Sequence, residues 1–355
     1  MAFETRDDAK LSPVSNTLLR WYDQNARVLP WRVGPDARKR GVKPDPYRVW
    51  LSEIMLQQTT VATVRPRFDL FLGQWPSVSD LADAPRDDVL AAWAGLGYYA
   101  RARNLHACAQ AIASEHDGIF PDTEDGLREL PGIGAYTAAA IAAIAFDRPC
   151  AVVDGNVERV VSRLFAIDTP LPLAKKEIGT RTAEIWPDAR SGDFAQSLMD
   201  LGATICRPRA PACNACPITD NCKASKAPSP ERYPVKPPKR KKPIRRGVAF
   251  ALFNGRGDIL LERRPEKGLL GGMLGLPGTR WEPTLMNKEA GAPTTVDWAQ
   301  AGKITHVFTH FRLELDVYRA RAPKGFRKPS TMVWMKPDEA KLPTVMRKAV
   351  EVLAL

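Results

Sequence analysis

Apolar residues recur at three- and four-residue spacings over 14–27, 46–64, 78–93, 98–115 and 124–129, and again over 135–146, 156–166, 174–185 and 193–205. That period marks helices with one buried face. Proline or glycine punctuates the joins, at Pro30, Pro46, Pro76, Pro131-Gly132, Pro149, Pro170 and Pro187. No strand-like alternation interrupts this part, so an all-α domain is expected. From residue 247 the pattern changes. Residues 248–253 and 259–262 flank Asn254-Gly255-Arg256-Gly257, which reads as a β-hairpin. Residues 312–319 alternate Leu313, Leu315 and Val317 with polar positions, 331–335 is another strand candidate, and 343–354 reads as a closing helix. The second domain is expected to be a small α+β unit.

Length and charge refine this division. A chain of 355 residues suits two domains better than one core, and 44% hydrophobic content is that of a globular protein. Of the formal charge of +12, an excess of nine falls within 223–246, where ten Lys or Arg and six prolines meet one acid, Glu231. Such a stretch neither buries apolar surface nor keeps helical hydrogen bonds, and is predicted to be an extended, basic inter-domain linker. The expected domains are therefore 1–222 and 247–355, joined by 223–246. The start carries no secretory signal and no apolar run reaches membrane-spanning length, so a cytoplasmic protein is expected, its cysteines reduced or bound to metal.

Four of the six cysteines fall in one pattern, Cys206-x6-Cys213-x2-Cys216-x5-Cys222. Four thiolates this close suit a tetrahedral zinc or a 4Fe–4S cluster. Cys108 and Cys150 lie in apolar surroundings and are expected in the core.

Two further runs carry chemistry. On a helix, Glu53 shares a face with Val49, Trp50, Leu56 and Gln57. A carboxyl among such neighbours is desolvated, its pKa rises, and it can serve as a general acid. In Leu130-Pro131-Gly132-Ile133-Gly134, two glycines let backbone approach a ligand, and the following helix start offers N–H groups to a phosphate. Asp154 stands before a helix, where it can act as an N-cap or as a second carboxylate. Tyr136 opens the helix after the glycines; a phenol there cannot form a Schiff base.

Taken together these runs resemble one superfamily. The cysteine spacing resembles the iron–sulfur loop of the endonuclease III and MutY DNA glycosylases, and LPGIG followed by VVDGN is similar to the helix-hairpin-helix–GPD signature. WLSEIMLQQT, with Leu29-Pro30-Trp31-Arg32 upstream, resembles the MutY family in particular. The resemblance implies an all-α helix-hairpin-helix glycosylase domain with one 4Fe–4S cluster on Cys206, Cys213, Cys216 and Cys222. The cluster would fix a loop presenting Arg207, Arg209 and Lys223 to phosphates. It also implies hydrolytic removal of a flipped adenine: Glu53 protonates N7, Asp154 stabilises the oxocarbenium-like sugar, and Asn156 orients Asp154. Bifunctional relatives carry lysine where this chain has Tyr136, so hydrolysis without strand cleavage is expected. Gln58, Thr59, Leu96 and Tyr98 match the family's wedge into the duplex, and Arg32 and Asp200 match positions near the adenine edge. Ala195 departs from the usual Asn of that wall.

Residues 247–277 resemble a MutT-like (Nudix) fold. GTRWEPTLMNKEAG follows where a Nudix hydrolase carries its glutamate-rich magnesium helix, so DNA recognition rather than phosphohydrolysis is expected. His306-Val307-Phe308-Thr309-His310-Phe311 resembles the loop that inspects 8-oxoguanine, with Thr309 in place of the usual serine. The resemblance thus implies a monomeric enzyme acting on double-stranded DNA with 8-oxoguanine·adenine or guanine·adenine mispairs, away from membranes and held on a bacterial nucleoid by DNA binding. An endonuclease III-like pyrimidine or mismatch glycosylase, a catalytically silent lesion binder and a nucleotide pyrophosphohydrolase are the alternatives. Glu53, Tyr136 and the second domain weigh against the first, the Glu53–Asp154 pair against the second, and the missing acidic helix against the third.

Overall fold

The computed structural model describes residues 12–237, 242–265 and 268–353. The chain divides into two compact units, Met1–Leu96 with Arg101–Pro238, and Gly97–Ala100 with Lys239–Leu355. Among the described residues no helix is long and apolar enough to cross a membrane.

The described helices before residue 205 are α1 (Pro13–Asn25), α2 (Pro35–Lys39), α3 (Pro46–Leu56), α4 (Val61–Gln74), α5 (Val78–Asp83), α6 (Arg86–Ala92), α7 (Ala100–Glu115), α8 (Glu124–Glu129), α9 (Ala135–Phe146), α10 (Gly155–Phe165), α11 (Lys175–Glu184) and α12 (Ser191–Thr204). Helix α9 is apolar on every side and buries nine consecutive residues, Thr137–Ala145, against α3, α8 and α12. Its small side chains let those three helices come close, and they carry the candidate chemistry.

Two long periodic stretches are each two helices. The run 46–64 breaks because Gln58 adopts φ +57° and Thr60 caps α4, its side chain accepting from Thr63 N. The run 78–93 breaks at Pro85, which cannot continue α5. Helix α2 had no sequence signal beyond Pro35. It is held by Arg38, which donates to Asp193 Oδ1 at 3.0 Å and to the Ile144 carbonyl at 3.2 Å.

Residues 223–237, expected as the solvated first part of the linker, belong instead to the first unit. Two short 3-10 turns, Lys223–Lys226 and Pro230–Arg232, bring Ala224 and Tyr233 into buried positions. Arg163 Nε donates to the Tyr233 carbonyl at 3.1 Å, and Leu171 N to the Val235 carbonyl at 2.9 Å. The few apolar residues and available backbone acceptors of this stretch outweigh its charge. Residues 238–241 of the expected linker lie outside the described residues.

The second unit has strands β1 (Ile244–Phe253), β2 (Ile259–Arg263), β3 (Leu274–Gly275), β4 (Ala299–Val307), β5 (Arg312–Arg321) and β6 (Met332–Met335), with helix α13 (Thr344–Glu351). The sheet runs β3-β2-β1-β5-β4, β6 pairing with β2, and β1 lies parallel to β5. The hairpin at 254–257 forms as expected: Asn254 Oδ1 accepts from Arg256 N and Asp258 N at 2.9 Å, and Gly257 takes φ +85°. Strand β4 had not been anticipated. Residues 279–298 run as turns and short bridges rather than a helix.

Candidate functional site

A cleft of about 540 Å³ opens in the first unit between α3, the 27–32 loop, the start of α9, the start of α10, and α12. Such a volume lies within the range of small-molecule sites. Glu53 reaches it from the middle of α3 with 7% of its surface exposed. The Tyr136 hydroxyl, at the first turn of α9, donates to Glu53 Oε2 at 2.8 Å. Burial pushes the Glu53 carboxyl up to about 7; the Tyr136 hydrogen bond and Arg32 oppose this and Asp154 adds to it. Glu53 therefore exchanges a proton near neutral pH. Burial, with the Glu53 charge beside it, raises the Tyr136 phenol well above its usual range, so this hydroxyl remains a donor.

Asp154 also lines the cleft and is at once the N-cap of α10. Its Oδ1 accepts from Asn156 N at 2.9 Å and Val157 N at 2.6 Å, while Oδ2 accepts from Asn156 Nδ2 at 3.0 Å. Three donors at the start of α10 fix the carboxylate in direction. A rigid anion thus faces a carboxyl able to carry a proton.

The rest of the wall is read mainly from long-range contacts. Arg32 lines the cleft, held by Nη1 at 2.8 Å from both oxygens of Asp200. Asp200 itself is fully buried and absent from the lining; it also accepts from Arg27 N at 3.0 Å. Asp200, expected with Arg32 near the adenine edge, thus lies behind the cleft wall, where it positions Arg32 and Arg27, which line the cleft. Ala195 is fully buried and likewise outside the lining, whereas the neighbouring Gln196 forms part of it. Gln58 and Thr59 stand at the cleft, Gln58 exposed in its left-handed conformation.

Other candidates lie elsewhere. Leu96 is only 4% exposed, its carbonyl taking Arg101 Nη2 at 2.7 Å, so its side chain is core and not a surface wedge; Tyr98 is 42% exposed at φ +48°. Gly132 and Gly134 lie outside the cleft lining, on the α8–α9 hairpin. Gly132 holds φ +76°, and a Cβ there would meet Asn104 Cβ at 2.5 Å. No side chain caps α9, so its first N–H groups face outward from Gly134. In the second unit, Phe308–Phe311 make the turn between β4 and β5; Thr309 and His310 are exposed, His306 and Phe308 half-buried.

The four cysteines line one small space of about 20 Å³ after α12. Among the described residues no three His, Cys, Asp or Glu side chains close on a point where one ion would sit. Burial, and behind it the other sulfurs, pushes the Cys216 thiol up to about 11. Two arginines of α10, unmarked by any sequence signal, organise this loop. Arg163, fully buried, donates to Cys206 Sγ at 3.3 Å and to the Arg207 carbonyl at 2.7 Å. Arg159 donates to the Cys206 carbonyl and to Asn156 Oδ1, each at 2.8 Å, linking the loop to the residue that holds Asp154.

Residues 51–188 match the family described as HhH-GPD superfamily base excision DNA repair protein, and residues 248–352 match the NUDIX domain. The chain is 34% identical to the adenine DNA glycosylase of Homo sapiens, over 98% of this chain and 75% of that one. It is 32% identical to the adenine DNA glycosylase of Buchnera aphidicola, over 95% and 96% of the two chains. Among solved structures, a thermostable thymine-DNA glycosylase superposes at a TM-score of 0.52 with 28% identity, covering 60% of this chain and 95% of its own.

Proposed function

The chain belongs to the adenine DNA glycosylases, and from that premise we propose that it removes adenine mispaired with 8-oxoguanine, or less readily guanine, by hydrolysis of the N-glycosidic bond. The observation that carries this reading is the proton-bearing Glu53 facing the fixed Asp154 across one cleft. Adenine leaves as a neutral base only if a ring nitrogen is protonated as the bond breaks. Glu53, poised near neutrality, delivers that proton to N7. Positive charge then develops on C1′ and its ring oxygen, and Asp154 meets it without reorganisation because three N–H groups already hold it. Asn156 supplies two of those bonds, one from its backbone and one from its side chain, and Arg32, held by Asp200, would border the base. Glu53, again anionic, accepts a proton from the water that completes hydrolysis.

Among the described residues lining the cleft the cations are Arg27 and Arg32, neither able to form an imine under these conditions. With Tyr136 bonded to Glu53, this supports a reaction that stops at the abasic site. Flipping a mispaired adenine into the cleft costs only a few kcal/mol. Tyr98, Gln58 and Thr59 would fill the gap it leaves, while Thr309 and His310 would read the opposite base. The α9 start at Gly134, Arg207, Arg209 and Lys223 would grip phosphates.

Cys206, Cys213, Cys216 and Cys222 would hold a 4Fe–4S cluster. What supports this reading is that all four cysteines line one space, four thiolates being the usual ligand set of such a cluster. When bound, such a cluster would keep the thiolates anionic and the loop closed. Iron and sulfide analysis of the purified protein, with Cys216→Ser as control, tests this.

The activity test uses a labelled duplex carrying 8-oxoguanine opposite adenine. Wild type should give breaks only after alkali, and Glu53→Gln and Asp154→Asn should give almost none. Breakage without alkali overturns the monofunctional reading, and activity in Glu53→Gln overturns the acid assignment.

A further inference from the structure

Five side chains of the second unit form one continuous stack. The Arg264 guanidinium lies 4.9 Å from the centre of the Trp281 ring. Trp281 is followed by Phe308 at 5.7 Å, and Phe308 by Phe311 at 4.7 Å in stacked geometry. Arg245 then covers Phe311 at 4.5 Å. A guanidinium closes each end of three aromatic rings, so attraction between cation and ring adds to ring stacking along the whole column.

The column is seated deliberately on the sheet. A Cβ at Gly247 would stand 2.5 Å from Trp281 Cδ1, so the indole lies where β1 has no side chain. Its segment is fastened by Arg246 and Glu282, which exchange both backbone hydrogen bonds at 2.7 and 3.1 Å. At the other side, Phe308 and Phe311 are the two ends of the β4–β5 turn, closed by Phe308 N donating to the Phe311 carbonyl at 2.9 Å. Thr309 and His310 stand exposed between them. An exposed polar turn of two residues ordinarily samples several conformations. With both flanking rings clamped, the directions of Thr309 and His310 are fixed as well.

We propose that this column aims Thr309 and His310, with Trp281 as the positioning residue on which discrimination of 8-oxoguanine from guanine depends. The proposal rests on the lesion-reading role assigned above to the turn. The two bases differ in a protonated N7 and an added oxygen, so telling them apart requires a donor and an acceptor held to within a hydrogen bond's tolerance. Excision itself takes place in the other unit and needs no such aim.

The test compares Trp281→Leu, Trp281→Phe and Thr309→Ala in the full-length protein. Single-turnover rates are measured on duplexes with adenine opposite 8-oxoguanine and opposite guanine. Amide hydrogen exchange is followed in peptides covering 306–312. Trp281→Leu should lower the ratio of the two rates roughly three- to tenfold, the worth of one lost ring stack, and leave the guanine rate unchanged. Exchange in 306–312 should quicken while β1 and β5 stay protected, and Trp281→Phe should restore both readouts. A lowered ratio without faster exchange, or equal loss on both duplexes, overturns the proposal. An unchanged ratio in Trp281→Leu beside a lowered one in Thr309→Ala overturns the positioning role alone. An unchanged ratio in both variants removes the lesion-reading role of the turn and the proposal with it.

Discussion

Replacing Tyr136 with phenylalanine separates the acid's protonation from every other part of the reaction. The phenol donates at 2.8 Å to Glu53 Oε2 and so favours the carboxylate over the carboxylic acid. Glu53 now exchanges its proton at about pH 7 because burial outweighs that bond. A hydrogen bond to a charged group contributes about 1.5–3 kcal/mol, and about 1.4 kcal/mol corresponds to one pH unit. Its loss should carry the basic limb of the pH–rate profile from near pH 7 to about pH 8–9. At pH 8 the acid would be roughly one-tenth protonated in wild type and half or more in the variant. The assay is single-turnover excision from an adenine mispair between pH 5.5 and 9.5, fitted for the position of the limb rather than its height. The height is free to fall, since Tyr136 also shapes the cleft. A limb that stays near pH 7 or moves to lower pH refutes the account of Glu53 as a burial-tuned acid restrained by Tyr136.

Four further outcomes are expected. Folded Glu53 keeps its proton up to about pH 7, against 4.5 for an unperturbed carboxyl, so the native state binds the extra proton in that window. Stability should therefore fall as pH rises through it, by up to about 3 kcal/mol, and Glu53→Gln should flatten this fall in melting curves; parallel curves would contradict it. Arg159→Met leaves the buried carbonyl of Gly202 and the half-buried one of Cys206 without this donor and frees Asn156, at a cost of about 1–3 kcal/mol. It should lower Tm and slow excision while iron content is retained. Gly132→Ala, with its positive φ and a Cβ 2.5 Å from Asn104, should lower Tm and weaken duplex binding far more than Gly134→Ala, whose Cβ meets open space. Equal effects of the two would refute the argument from backbone geometry. Arg163→Met should reduce iron content, since it removes the buried cation at Cys206 Sγ; full iron loading would show that the loop closes without it.

Local rules made the helices, the Asn254 hairpin, the cysteine quartet and the Glu53 face legible before any coordinates. Each depends on residues within a few positions of one another. Glu53 could be placed in an apolar environment because Val49, Trp50 and Leu56 share its turn of helix. The misses are contacts between distant positions, or turn chemistry that competes with periodicity. Asp200 looked like a ligand contact, yet its partners Arg27 and Arg32 come from the other end of the unit and draw it beneath the surface. The break at Gln58 was written in the Thr60–Thr63 cap, a signal weaker than the apolar pattern running through it. Leu96 matched a surface motif, but burial is decided by what packs above it. The basic 223–237 stretch read as solvated because charge dominates its composition, whereas Tyr233 and backbone acceptors decide its position. Arg159 and Arg163 carried no signal at all: an arginine on a helix declares its purpose only when the carbonyls it meets are known.

The ion pairs from Asp200 to Arg27 and Arg32 span 173 and 168 positions of sequence. On a ribosome, the loop bearing those arginines emerges early and waits unpaired until α12 has been synthesised. Contacts so far apart in the chain close slowly, since most of the loop entropy must be lost before they form. The cleft is thus among the last parts of its unit to exist during biosynthesis. A nascent chain halted before residue 200 can make α3, α8 and α9 but has nothing to hold Arg32 in place. Such a fragment would carry its acid in an unfinished wall, before the turn at 308–311 had been translated.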